Sequence, residues 1–306
     1  MKITIPEQLK TAVPLNAWGR VLSATPVVMT VVATLLAGLA SSEMTRAQYD
    51  RSLAAQRQSK AGDQWGFFQA KKLRGAVQLG TLDVVQATAP EHRIDAAGLR
   101  ALAATLPNAE AVNTALDKLL AGRLPEHAAA PTPAAPVQAA LDAIEQDLPE
   151  PELTARLSAA SPDLVTAALR EAQEHARSFD RLLQPTVDGG DQLGALLDPG
   201  TTQHFALSRD FTVLRLRYSA LRYDAEAQLN QAVANLYELQ VRQSNLSAER
   251  HRRRSQKFFF GMLGAQAAVI IATLAMAARQ RNLLWSLAAA AGLGALIFAI
   301  YVFLFM

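Results

Sequence analysis

The last forty-nine residues, Phe258 to Met306, read "FFFGMLGAQAAVIIATLAMAARQRNLLWSLAAAAGLGALIFAIYVFLFM". Two uncharged apolar runs, Phe258–Ala278 and Leu283–Met306, are separated only by "RQRN" (Arg279–Asn282). Each is about the twenty residues that a helix needs to cross a bilayer. Backbone groups inside a bilayer must be satisfied within their own segment, so such runs read as helices, and the short gap demands a tight helical hairpin. A soluble reading would have to bury two wholly apolar helices inside one small domain. Directly before the pair stands "HRRRSQK" (His251–Lys257). Basic residues at that place face lipid headgroups, so Arg250, Arg252, Arg253, Arg254 and Lys257 read as a membrane-surface cluster in contact with anionic headgroups.

A third run lies near the start. Val21–Ser41, "VLSATPVVMTVVATLLAGLAS", is uncharged, with Trp18 and Arg20 at its head as interfacial anchors. Pro26 should kink it. The competing reading is a cleaved signal peptide, since "AGLASS" resembles a small-residue cleavage site and Lys2 and Lys10 a charged leader, but the apolar core exceeds the usual 7–15 residues. The chain is therefore read as an all-α membrane protein with three transmembrane helices. Polar positions in the spans are Ser23, Thr25, Thr30, Thr34, Gln266, Thr273 and Ser286, and no charge lies inside any span. Proton relays and most ion pathways need such charges.

Between the spans the charge is patterned. The 306 residues carry a net charge of +3 and are half hydrophobic. Glu91–His204 holds 17 acidic against 8 basic side chains, Phe205–Lys257 holds 10 basic against 5 acidic, and Ser42–Leu82 holds 7 basic against 3 acidic. An acidic middle is thus flanked by two basic segments, each abutting an apolar run. There is no cysteine, which removes disulfides, zinc–thiolate sites and thiol nucleophiles.

Phe205–Lys257 is read as one long helix. Phe211, Leu214, Tyr218, Leu221, Ala225, Leu229, Ala232, Leu236, Leu239 and Leu246 follow three- and four-residue steps, the seam of a coiled coil. So narrow a stripe needs a partner, either elsewhere in the chain or in a second protomer. The intrachain candidate is the segment leaving the first span, 42–82, which would run back along the long helix as an antiparallel stalk. In its stretch "AGDQWGFFQAKKLRG" (Ala61–Gly75), Trp65, Phe68 and Leu73, with Leu79 beyond, would supply the apolar contact. The expected packing and interaction residues are Trp65, Phe68, Leu214, Tyr218, Leu221, Leu229, Leu236 and Leu239, and the seam, through Leu221, Leu229 and Leu236, is expected to drive self-association.

The acidic module, 83–204, is rich in Ala and Pro. Helices are expected from Asp95, from Asn108 to Gly122, after Pro136, and from Ser161 (N-cap, with Pro162 following) to Leu183. "HAAAPTPAAP" (His127–Pro136) reads as an extended, mobile linker, and "QPTVDGGDQLGALLDPGTTQ" (Gln184–Gln203) as a loop full of breakers. The resulting division is 1–17 tail, 18–41 first span, 42–82 first stalk helix, 83–204 module, 205–257 second stalk helix, 258–278 second span and 283–306 third span.

Little in the chain suggests chemistry. His92, His127, His175, His204 and His251 have no ligand spacing and are expected at the surface. Asp188 and Asp191 in "DGGD" lack the further ligands of a calcium loop. "GMLG" and Gly292–Gly294 lie in apolar helices, where small residues allow close packing rather than phosphate binding. "ERHRRRSQK" has the composition of a nucleic-acid patch but the position of a headgroup contact. No catalytic, cofactor-binding or metal residue is assigned, and neither a cofactor nor a nucleic-acid partner is expected.

The residues Asp63, Gln64, Trp65, Gln69, Ala70 and Lys71, in the stretch "AGDQWGFFQAKKLRG" after a first span, resemble those of a bacterial membrane family known as domain of unknown function 4337. In that family a long charged helix leads through a basic junction into two closely spaced spans, as Leu207–Phe305 does here. The resemblance covers Ala17–Leu79 and Leu207–Phe305. Phe67 and Phe68 stand where tyrosines are common, Gly62 replaces a small polar residue, and Asp83–His204 looks like an insertion. The family brings no catalytic residues with it. It implies a bacterial inner-membrane, multi-pass protein, and the basic residues flanking the middle region, counted by the positive-inside rule, place that region in the cytoplasm. The expected function is a membrane-anchored helical scaffold or accessory subunit, as a homo-oligomer or with an unidentified membrane protein. The alternative is an oligomeric channel or sensor with its pore among the spans.

Overall fold

A computed structural model describes residues 17–88, 93–125, 128–198, 204–277 and 281–305. Among them are eight α-helices and no strand: α1 (Ala17–Thr88), α2 (Ala96–Ala103), α3 (Ala109–Ala121), α4 (Ala135–Glu145), α5 (Glu150–Ala159), α6 (Pro162–Leu196), α7 (Phe205–Ala277) and α8 (Arg281–Phe305). Helices α1, α7 and α8 each contain a stretch long and apolar enough to cross a membrane. The chain is thus an all-α membrane protein. Lys2, Lys10, His92, His127 and Arg279 lie outside the described residues.

The chain divides into two compact units, Met1–Leu53 with Ser244–Met306, and Ala54–Gln243. In the first, helical segments pack through small residues. Leu36, Ala40, Phe258 and Val302 form one apolar cluster, Ala33, Ala265 and Ala295 a second, and Ala272, Ala275, Trp285 and Ala288 a third. Met29 lies against Gly292, where a Cβ would come 2.5 Å from its Sδ and displace the thioether. α1 continues through Pro26.

In the second unit, the 54–88 part of α1 runs antiparallel to the 205–243 part of α7. Contacts advance along one as they retreat along the other: Arg57 to Gln240, Trp65 to Glu238, Lys71 to Glu226, Lys72 to Asp224 and Gly75 to Ala220. This is the expected stalk, but its seam is made of other residues. Ala54, Ala61, Phe68, Gly75 and Leu82 recur every seven residues on α1, and all but the partly buried Phe68 are buried. On α7, Ala220, Ala227, Ala234 and Val241 keep the same step and are buried. Small side chains at heptad positions let two helices approach closely. Leu73 and Leu79, expected in this contact, are 67% and 52% exposed. Leu73 points away from the seam because it lies two residues, about 200° around the helix, from Gly75.

The leucine face of α7 has a different partner. Phe211, Leu214, Tyr218 and Leu229 join Leu99, Val112, Leu116, Leu119, Phe179, Leu183 and Leu193 in the core of the module. Leu236 and Leu239 are buried as well. The seam expected to join protomers is therefore covered by α2, α3 and α6 of the same chain, and Leu221, at 41% exposure, lies outside it.

Two further readings are corrected. Gln184–Leu196 is helix, the C-terminal part of α6, with Pro185 inside it. Its Gly189 and Gly190 serve packing rather than a turn, because α3 crosses there: a Cβ on Gly189 would sit 2.6 Å from Ala115 Cβ. Residues 130–134 form no regular element, after a turn at 128–129, yet the segment is packed, with Ala128 and Ala130 against the module core. The other expected helix starts and stops appear. Asp95 accepts from Gly98 N and Ser161 from Leu164 N, and Gly122 takes the left-handed conformation at the end of α3. Asn108 precedes α3 without a side-chain cap, and α5 is additional.

Candidate interaction site

Trp65 is half-buried and edge-on to Phe68, with ring centroids 5.4 Å apart. Its indole Nε1–H donates to Glu238 Oε1 across the helix pair at 2.6 Å. Further along, Lys71 pairs with Glu226, whose Oε1 also lies 3.3 Å from Arg222 Nε in an ion pair, and Lys72 pairs with Asp224 at 2.5 Å. Lys71 and Arg222 both lie over the Tyr223 ring, at 5.4 and 4.7 Å from its centroid. The aromatic and cationic residues of "AGDQWGFFQAKKLRG" thus form a polar clasp beside the alanine seam.

Two neighbouring groups feel this clasp. Burial, and then the Glu226 charge, push the Asp180 carboxyl up from its ordinary value, while Lys71 and Arg222 pull it down. Burial likewise raises the Tyr218 phenol, against smaller opposing effects of the Thr186 hydroxyl and Arg222. Neither the Tyr218 nor the Thr186 hydroxyl closes a well-formed hydrogen bond, so their mutual contact is loose.

Trp65 also walls a cavity of about 430 Å³. Four elements and the 130–133 strap converge on it, and its charged residues are Asp142 and Glu145 from α4, Glu171 from α6 and Glu238 from α7. Among the described residues no lysine or arginine lines it. Two of the carboxylates are oriented from within, Asp142 by Gln138 Nε2 (2.7 Å) and Glu238 by the Trp65 indole. Leu141, Ile144 and Leu236 give it apolar walls. Carboxylates beside a tryptophan suit a cationic side chain with an apolar stem. Of this lining, Trp65, Ala232 and Leu236 were singled out by sequence, and none of the carboxylates was. The acidic residues come from segments far apart, and no local spacing announces them.

The opposite face of α1 in this unit is uncovered. Gly66, Ala70, Leu73, Val77, Gly80, Val84 and Ala87 follow alternating four- and three-residue steps, and all are exposed. Leu73, Val77 and Val84 expose 67%, 55% and 62% of their surface. This stripe has the phase of a coiled-coil seam without a helix upon it.

The first unit holds the basic cluster. Arg250, Arg252 and Arg253 are exposed, and Arg254 and Lys257 half-buried. His251 is not a surface histidine: its Nδ1 lies 2.6 Å from Glu43 Oε2 and its Nε2 4.0 Å from Asp50 Oδ2, and Glu43 is buried. Among the described residues no group of three or more His, Asp or Glu is placed to hold a metal ion.

The family described as a domain of unknown function (DUF4337) matches residues 18–123. The match takes in α1, α2 and α3, and so runs well into the stretch expected to be an insertion from Asp83 onward. No curated protein and no solved structure matches the chain.

Proposed function

We propose that the chain is a membrane-anchored helical scaffold that binds a further helix through the outer face of α1, either that of a second copy or that of a partner membrane protein. The observation carrying this reading is the exposed stripe from Gly66 to Ala87, whose four-three spacing matches what a partner helix requires. Apolar residues on that scale at a solvent-facing helix mark a protein contact. The acid-lined cavity beside Trp65 would add selectivity for a basic side chain. The hydroxyls of Thr30, Thr34 and Thr273 donate to carbonyls of their own helices, which fits spans that anchor rather than conduct.

The test is photo-cross-linking in native membranes from a reactive side chain at Val77. A discrete adduct is expected, at twice the chain mass for a second copy and at another fixed mass for a partner. It should be lost in Leu73→Lys/Val84→Lys, whose helix content should be unchanged because both sites are exposed. Absence of any discrete adduct would overturn the reading, and ion conductance by the purified chain in liposomes would replace it with the channel.

A further inference from the structure

In the first unit, a groove of about 570 Å³ opens between α1 and α7. Ala37, Ala40, Ser41 and Met44 form one wall and Gln256, Phe259, Phe260 and Met262 the other. The polar group at its base is already spent, because Ser255 Oγ donates to Ala40 O at 2.7 Å. Phe259 and Phe260 are 48% and 64% exposed at its lip. Both walls run into the apolar stretches of α1 and α7, so one end of the groove is continuous with the spans.

Among the described residues that line the groove none is charged, but arginines stand one to two turns beyond it on both helices. Arg252 and Arg253 lie one turn before Gln256 on α7, the helical spacing that brings side chains to a common face. Arg51 lies two turns beyond Met44 on α1. All three address one carboxylate: Glu249 Oε1 receives Arg253 Nε at 3.1 Å, Oε2 lies 3.6 Å from Arg252 Nη1, and Arg51 acts on it electrostatically. Together these hold the Glu249 carboxyl below its ordinary value. Three guanidiniums against one carboxylate leave an excess of positive charge, and all three arginines are exposed.

We propose that this groove is a binding site for an anionic phospholipid, with an acyl chain between Met44 and Phe260 and the phosphate held by Arg252, Arg253 and Arg51. The match is one of both ends: an apolar slot continuous with the spans, and guanidiniums whose planar donors pair with phosphate oxygens. A surface attraction to headgroups would need only the arginines, whereas this site also needs the slot. The inference does not rest on the scaffold reading, since it uses no residue of the α1 stripe.

The full chain, reconstituted in vesicles of equal phosphatidylglycerol and phosphatidylcholine and then extracted in mild detergent, is examined by native mass spectrometry. One phosphatidylglycerol is expected to be retained at least about tenfold over phosphatidylcholine. Arg252→Gln/Arg253→Gln should bring the two lipids to parity. Ser41→Phe, which fills the slot and leaves every arginine in place, should lose the retained lipid. Equal retention of both lipids by the native chain would overturn the proposal, and so would a preference that survives the arginine changes. Undiminished retention in Ser41→Phe would reduce the site to headgroup attraction and overturn the slot. Arg252→Gln alone, an exposed change, gives the same reading should a double variant fail to fold.

Discussion

Beside the module core, Asp180 is pushed against its charged state. Its carboxyl is raised by burial and by Glu226. The sign follows from linkage: a carboxyl that holds its proton more tightly in the folded chain makes folding more favourable at low pH, and that contribution is lost as pH rises through the folded-state value. Asp180→Asn, which never ionises, should therefore melt higher than the native chain at pH 7.5, with the gap closing toward pH 4. Because Asp180 keeps much of its side chain in solvent, the gap should stay below about 1 kcal/mol. Thermal unfolding followed by circular dichroism at the two pH values measures it, and a gap that widens toward acid would refute the assignment. Trp65 teaches the complementary point. Its sequence neighbours suggested an apolar clasp, yet its indole N–H donates to Glu238, a pairing that no single stretch of sequence contains.

Among the helices, what sequence reveals depends on whether the pattern is local. The three spans and the caps at Asp95, Ser161 and Gly122 rest on composition or on residues three or four apart, and they were legible. The stalk's course was legible too, but its seam was not. Leucine spacing on α7 draws the eye first, while the contact with α1 uses the quieter heptad of Ala220, Ala227 and Ala234 against Ala54, Ala61 and Gly75. A search for small residues at a seven-residue step would have found it. The C-terminal part of α6 was hidden for another reason: Pro185 and the Gly189–Gly190 pair are turn signals in isolation, and only the crossing of α3 makes the glycines helical. That crossing gives a paired prediction. Gly189→Ala would drive a methyl against Ala115 at 2.6 Å and should destabilise the module by about 1–3 kcal/mol. Gly190→Ala meets only Leu119 Cδ1 at 3.7 Å and should be neutral or stabilising, by up to about 1 kcal/mol from helix propensity. Denaturant midpoints of the two variants decide it, and equal midpoints would place the helices further apart than described.

For the molecule as a whole, the one span between them would set residues 1–17 and the long middle region on opposite faces of the membrane, and charge must decide which face is which. The basic residues that border the middle region are Arg46, Arg51, Arg57 and Lys60 on one side and Arg242, Arg250, Arg252, Arg253, Arg254 and Lys257 on the other. Moving such a concentration of cations across a membrane is disfavoured, so the middle region is expected on the cytoplasmic side. The rule loses force for loops as long as this one, which makes a direct measurement worthwhile, and the absence of any cysteine supplies a clean background for it. Ala134 is exposed in the strap ahead of α4, and Ala134→Cys adds a thiol without disturbing a packed side chain. A membrane-impermeant maleimide should label this variant only after the cells are permeabilised. Labelling in intact cells would put the acidic module outside and would also turn the phospholipid groove of Arg252 and Arg253 toward the outer leaflet, so one experiment fixes the membrane face from which both partner helix and lipid must come.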